Sequence, residues 1–283
     1  MQANAIRGVM PELPEVEFCK RAITGWMFGR RIVAVDVLDA RVVRETRTDR
    51  PSAASDAAAR RLQAVATSPS RELLRHGKRL LWTFERGALL LHLGMTGRWT
   101  RGDSRFAKVV FVLDNGDRLT FHDPRILGGI VPFDDFGAAS RALTEGLGPD
   151  ALRDPLPSLA GKRAVKLVLM DQTVVAGIGN VQAMEALWRA GIHPSRAADT
   201  LTPQEHQRLS TAVHTQLNAT LALLGPGDEI TYVEEPGGPN PFPLYQRDGE
   251  PCPACGTTVA TFRQGGRGTW WCPGCQPPDT ERA

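Results

Sequence analysis

The 283-residue chain has no apolar run of membrane-spanning length: runs such as Ala88-Leu89-Leu90-Leu91, which stops at His92, are only a handful of residues long, well short of the roughly 20 residues that cross a bilayer as a helix. Its opening residues, MQANAIRGVM, lack the apolar stretch and the cleavage site of a secretory signal. Both absences predict a cytoplasmic protein without membrane attachment, in a compartment where thiols stay reduced or bind metal. Charge of one sign is scarce as well. The 34 basic residues nearly balance 31 acidic ones, so the net charge of +3 does not by itself signal a nucleic-acid partner. No repeat of solenoid length is present.

With 42% hydrophobic and 23% charged residues, the chain reads as a folded globular protein. Its length fits two ordinary domains and a small appended module. Acidic residues gather at Glu12 to Glu17 and Asp228 to Glu235, basic ones at Arg71 to Arg79, Lys162 to Lys166 and Arg263 to Arg267. Such basic patches suit phosphate contacts, or are simply a solvated surface. PELPEVEFCKRAITGWMFG predicts a helix starting near Pro14, where proline is tolerated and Glu15 and Glu17 favour the positive helix end, with Gly29 as the stop. From Arg31 to about Phe133 short period-2 runs follow: RIVAVDVL, RLLWTF, ALLLHLG, KVVFVLD and RLTFHD, with Asn115-Gly116 marking a hairpin. They predict an antiparallel β-sandwich, interrupted by a helix around Ser55 to Ala66. Helical periodicity covers Ser158 to Met170, Asn180 to Ala190 and Pro203 to Leu224, with the glycine turn VVAGIGN between the first two. The expected class is α+β and multidomain: a β-sandwich flanked by helices at 11–135, a helical domain at 140–230 and a C-terminal ribbon at 244–276.

Cys252-x-x-Cys255 and Cys272-x-x-Cys275 are separated by sixteen residues. Two knuckles at this spacing suit a tetrahedral zinc, and four cysteines leave no place for a catalytic water, so the expected cofactor is one structural Zn2+. A pair of disulfides is the alternative. Cys19, the fifth cysteine, is expected in the core. Gly265-Gly266-Arg267-Gly268-Thr269 predicts a hairpin tip presenting an arginine to phosphate. Pro11-Glu12 admits two readings. Inside a longer chain it is a helix cap. If translation starts at Met10 and that methionine is removed, Pro11 carries a free secondary amine. An α-amino group titrates near about 7.7–8.0 against about 10.4 for lysine, so far more of it is a neutral nucleophile at pH 7. Its attack on a sugar C1′ gives an iminium ion, an electron sink for eliminating phosphates, and the adjacent Glu12 carboxyl is placed to protonate the opening ring. Met10 is therefore the expected start of the active chain.

The motifs PELPEVE, HGKRLLW, HLGMTGR, DPRILGG, LMDQTVVAGIGN with EALWRAGIHP, and the ribbon with GGRGT occur in order from Met10 to Gln276. On these the chain resembles the formamidopyrimidine-DNA glycosylase and endonuclease VIII family, and PELPEVE is of the former kind. The resemblance implies a β-sandwich, a helix-two-turns-helix DNA-binding element and a zinc ribbon. It implies a bifunctional DNA glycosylase and abasic-site lyase of base-excision repair, a monomer acting on double-stranded DNA that contains oxidised bases or abasic sites. By the same resemblance Pro11 is the Schiff-base nucleophile, Glu12 the proton donor, Lys78 a phosphate contact that assists β-elimination, and Arg267 the residue linked to δ-elimination. Asn180 and, approximately, Lys162 contact DNA; Met95 and Arg125 fill the gap left by a flipped base. Plainer readings stand beside these: Lys78 as a strand-edge lysine, Asn180 as a helix cap, Arg267 as a turn arginine, Met95 as a core residue.

The departures bear on lesion choice. DPRILG replaces the usual DPRRFG, so the wedge beside the orphan base is Leu127 and not an aromatic ring. Gln182 stands where a DNA-contacting tyrosine is usual, Phe106 where a histidine is common, and the segment from Gly225 to Arg247 is several residues short of the loop that covers an extruded purine. Two rival classes remain: a non-catalytic relative that binds lesions or abasic DNA, which retention of residues 1–10 would require, and an unrelated zinc-ribbon RNA-binding protein.

Overall fold

A computed structural model describes residues 11–46, 55–225 and 240–278. The expectations about the first ten residues and about most of the Gly225 to Arg247 loop fall on residues outside these. Among the described residues no helix is long and apolar enough to cross a membrane. The chain divides into two compact units, one reaching to Glu145, the other comprising 146–223 and the residues from Pro239 onward.

The first unit opens with α1 (Leu13–Trp26), whose apolar residues Leu13, Val16, Phe18, Cys19 and Ile23 are buried. The helix ends at Trp26, capped by Met27, and the chain then turns at Gly29 (φ +67). After β1 (Ile32–Val37), α2 (Asp56–Ala66) starts on Ser55, whose hydroxyl accepts from Ala58 N. Seven strands follow: β2 (Ser70–His76), β3 (Arg79–Phe84), β4 (Gly87–His92), β5 (Arg98–Arg101), β6 (Ala107–Leu113), β7 (Arg118–His122) and β8 (Gly129–Phe133). They form two antiparallel four-stranded sheets, β1-β6-β7-β5 and β2-β3-β4-β8. The sheets share one core in which Trp82 of β3 meets Trp99 of β5 and Phe111 of β6, with ring centroids 6.4 and 5.9 Å apart. Truncating such a buried ring costs roughly 3–5 kcal/mol. Helix α3 (Phe136–Thr144) closes the unit; the buried Arg79 guanidinium donates to Ala142 O and Glu145 O, satisfying carbonyls at its C-terminal end.

The second unit carries α4 (Val165–Leu169), α5 (Asn180–Ala190), α6 (Pro203–Leu224, whose last residue groups with the first unit), β9 (Ala260–Gln264) and β10 (Arg267–Trp271). The helix expected over Ser158 to Met170 is confined to its second half. Gly161 takes φ +88, and Ala164 bridges Ala197 while Val165 N donates to Arg196 O, so the backbone before α4 bonds outside a helix. The turn before α5 is stapled by Gln172, which donates to Met170 O and Ile178 O and accepts from Gly177 N. Strands β9 and β10 join through Gly265 (φ +57) and Gly266 (φ +77), a two-residue hairpin of the kind that needs positive φ at both positions. Arg267 is thus the first strand residue after the tip, paired with Gln264.

Candidate functional site

In the first unit the chemistry concentrates where α1 begins. Pro11 and Glu12 are buried, and Glu12 is the N-cap. It forms a capping box with Glu15: the Glu12 carboxyl accepts from the Glu15 amide, and Glu12 N donates to Glu15 Oε2 at 2.9 Å. Burial, and then the neighbouring Glu12 charge, raise the Glu15 carboxyl to about 7; Lys78 pulls weakly the other way. Lys78 occupies the two-residue turn Gly77-Lys78 between β2 and β3, closed by the His76–Arg79 pair, so it stands on a hairpin tip and not along a strand edge.

Tip and helix are tied together. The fully buried Arg75 donates through Nε to Glu17 Oε2 at 2.8 Å and through Nη1 to Gly77 O at 3.0 Å. Burial works to raise the Glu17 carboxyl, but the Arg75 hydrogen bond and charge outweigh it and hold the group below its ordinary range. One guanidinium therefore links α1, whose N-cap follows Pro11, to the turn that carries Lys78. The sequence marked Glu15 and Glu17 only as favouring the helix start and Arg75 only within a basic segment; the Arg75–Glu17 bond is a tertiary pairing that the sequence did not announce.

The expected gap-filling residues lie on two adjoining loops. Met95 is half-exposed between β4 and β5, outside the apolar core, while Arg125 is exposed and Leu127 half-exposed between β7 and β8. Phe106 stands edge-to-face on His122, ring centroids 5.4 Å apart.

In the second unit Asn180 is the first residue of α5, and its Nδ2 donates to Gly268 O at 3.1 Å, beside Arg267. A helix start and the ribbon arginine are thereby neighbours, as a phosphate cradle requires. Lys162 lies exposed on a bend. The lysine that reaches the ribbon is Lys166, fully buried in α4 with Nζ bonded to Thr269 Oγ1 at 2.6 Å; a lone lysine within AVKLVLM was its only trace in sequence. Gln182 is turned inward: its amide oxygen accepts from Gln216 Nε2 and Thr220 Oγ1 of α6. The substitution for tyrosine has become a bond between helices.

The four ribbon sulfurs lie within 4.8 Å of one another. Cys252–Cys275, Cys255–Cys272 and Cys255–Cys275 are 3.8, 3.4 and 3.4 Å apart, too long for disulfides and close to the ~3.8 Å edge of a tetrahedron with Zn–S bonds of about 2.3 Å. The donor set fits one structural zinc with no open position. The hairpin presenting Arg267 runs between the two knuckles.

Three family models match: the formamidopyrimidine-DNA glycosylase N-terminal domain over residues 10–130, the formamidopyrimidine-DNA glycosylase H2TH domain over 142–230, and the zinc finger found in FPG and IleRS over 249–278. Formamidopyrimidine-DNA glycosylases from Geotalea uraniireducens and Geobacter sulfurreducens are 37% and 36% identical, each matching over 94% of this chain and 100% of its own length. Among solved structures, the MutM (Fpg) protein of Thermus thermophilus superposes with a TM-score of 0.75 at 33% identity, covering 94% of this chain and 98% of that one. The Lactococcus lactis Fpg complex with abasic-site DNA reaches a TM-score of 0.79 at 22% identity over 94% and 100% of the two chains, which speaks for the fold.

Proposed function

This chain belongs to the formamidopyrimidine-DNA glycosylase family, and on that premise we propose that it excises oxidised bases from double-stranded DNA and nicks the abasic strand through a Schiff base on Pro11. The observation that carries the reading is the head of α1, where Pro11 directly precedes a buried pair of carboxyls, Glu12 and Glu15, with the charge of Lys78 acting on Glu15.

The Pro11 nitrogen attacks the sugar C1′, and the N-glycosidic bond breaks as the base departs with a proton. Glu12 protonates the ring oxygen as the sugar opens, leaving an iminium ion. Loss of a proton from C2′ then expels the 3′ phosphate, with Lys78 close to the phosphate it contacts. Arg267 and Asn180 hold the phosphate backbone, Arg267 serving the δ step that expels the 5′ phosphate, and Lys162 adds a contact further out. Met95, Arg125 and Leu127 occupy the gap that a flipped nucleotide leaves. Zinc on Cys252, Cys255, Cys272 and Cys275 folds the ribbon and takes no part in bond making. The working domains are 11–135, 140–230 and 244–276, in a monomeric cytoplasmic protein.

A peptide-bonded proline nitrogen is an amide and cannot attack, so the active form starts at Pro11. Borohydride trapping on an abasic duplex, with N-terminal analysis of the protein from its native host, tests this. A chain beginning Pro11-Glu12-Leu13 that is trapped in a covalent adduct is the expected result. A trapped chain that begins at Met1 moves the nucleophile elsewhere, first to Lys78; no adduct makes the protein a non-catalytic binder.

A further inference from the structure

The loops carrying Met95 and Arg125 are joined by one buried carboxylate. Asp123 is fully buried. Its Oδ1 accepts from Thr96 Oγ1 at 2.5 Å and from Arg125 N at 3.2 Å, and its Oδ2 accepts from Gly128 N at 2.6 Å. Thr96 belongs to the first loop; Arg125 and Gly128 belong to the second. On the opposite side the buried Arg44 guanidinium donates to Gly128 O at 2.8 Å.

The loops also touch where side chains are missing. A Cβ at Gly94 would lie 2.4 Å from Leu127 C and 2.6 Å from Gly128 N, and one at Gly128 would lie 2.9 Å from His92 O. Between Arg125 and Leu127 stands Ile126 at φ +56, a backbone state that a β-branched residue takes only when its surroundings impose it. Arg125 is exposed and Leu127 half-exposed on either side of Ile126, and Asp123 accepts from Arg125 N before the turn and from Gly128 N after it.

We propose that Asp123, acting with Thr96, is a positioning residue that locks the two loops into a single wedge, and that reading of the base opposite the lesion depends on this lock. The proposal rests on the assignment of Met95, Arg125 and Leu127 to the gap in the duplex. A wedge whose halves moved independently would yield to any opposite base; a locked one meets each base with the same fixed contour. Specificity then comes from rigidity in residues that touch no DNA.

Thr96→Val removes the bond between the loops and keeps the side-chain shape, while Thr96→Ser restores the hydroxyl. Single-turnover excision would be measured on duplexes with a formamidopyrimidine opposite each of the four bases and on the same lesion in a single strand, with Arg125→Ala alongside. A hydrogen bond to a charged group corresponds to about a tenfold or larger effect. Thr96→Val is therefore expected to shrink the ratio between best and worst opposite base about tenfold and to lower the melting temperature modestly, since a buried carboxylate loses a donor, while single-strand excision stays near that of the parent and Thr96→Ser keeps the parent ratio. If Thr96→Val holds the parent ratio while Arg125→Ala loses it, the wedge stands and the lock is wrong. If Arg125→Ala holds it too, the gap assignment itself fails and the lock with it. A parent that treats all four bases alike overturns the lock as well.

Discussion

Glu185 offers the sharpest physical test of the second unit. Its side chain is fully buried; Oε1 accepts from Leu244 N at 3.0 Å and Tyr245 N at 2.9 Å, whereas Oε2 is buried without a hydrogen-bond partner among the described residues. Burial raises this carboxyl from 4.5 to about 7, overcoming the two amide bonds and the charges of Arg189 and Arg247. The proton belongs on Oε2, the oxygen that nothing else stabilises. Because the folded value lies above the unfolded one, the stabilisation is complete below about pH 4.5 and is lost as pH rises through about 7. At about 1.4 kcal/mol per tenfold change in proton affinity, the loss is on the order of 3 kcal/mol. For a unit of this size, between the small-domain and large-domain cases, that lowers the melting temperature by roughly 10–20 °C. Glu185→Gln keeps the accepting oxygen and cannot ionise. It should start below the parent at pH 5, since its amide NH2 is buried without an acceptor at a cost of about 1–3 kcal/mol, and converge on the parent by pH 8. Calorimetric melting from pH 5 to 8.5 at constant ionic strength reads this directly. Asp39, held at about 2 chiefly by its Arg41 hydrogen bond, acts only at lower pH, whereas Glu15 of the first unit titrates in the same range, so the Glu185 contribution is read as the difference between parent and Glu185→Gln. A Gln variant whose melting temperature falls as steeply as the parent's would refute the assignment.

Other outcomes follow from the same geometry. Glu15, raised to about 7 in the first unit, should give a matching loss over the same pH range, absent in Glu15→Gln; additivity with Glu185→Gln in melting curves checks that the two carboxyls act independently. Cys252→Ser should release zinc and weaken DNA binding together, since metal binding and local folding are one event; a variant with full zinc content and unchanged affinity contradicts this. Glu12→Gln should suppress base release while duplex binding survives, measured as a drop in single-turnover rate at saturating enzyme. With Leu127 as the wedge, 8-oxoguanine should not be the best substrate, ring-opened purines or oxidised pyrimidines being preferred, and a competition assay won by 8-oxoguanine over both classes counts against it.

The sequence was most legible where one residue type does one job. The four cysteines, the Asn115-Gly116 turn and the long amphipathic helices α5 and α6 are local signals, and each fell where expected. Legibility failed where a tertiary partner decides. β8 hides because GIVPF contains Pro132, which disfavours a strand; it survives on a sheet edge, where the missing amide donor faces no neighbour. β5 hides because only Trp99 of its four residues is buried. Lys162 and Lys166 look alike in sequence, and only Thr269, more than a hundred residues away, makes Lys166 the one that meets the ribbon. Gln182 reads as a lost DNA contact until Gln216 and Thr220 supply its partners.

The two sequence readings of Pro11-Glu12, helix cap and catalytic pair, turn out to be compatible. A carboxyl that caps a helix is fixed by the amides it accepts from, and Glu12 is so fixed by the Glu15 amide. The cap holds the group next to Pro11 without a long, mobile side chain having to find its place. Glu15 completes the arrangement by accepting the Glu12 amide at 2.9 Å. Its value of about 7 leaves it able to hold or release a proton beside Glu12 near neutral pH. Liberation of the Pro11 amine would add a positive charge at the same helix end and draw the Glu15 carboxyl downward. On the proposed start at Pro11, the expected signature is a shift of the Glu15 titration on going from the extended chain to one that begins at Pro11, read by carbon-13 NMR. An unchanged Glu15 titration would mean that the amine lies too far from this carboxyl to act with it.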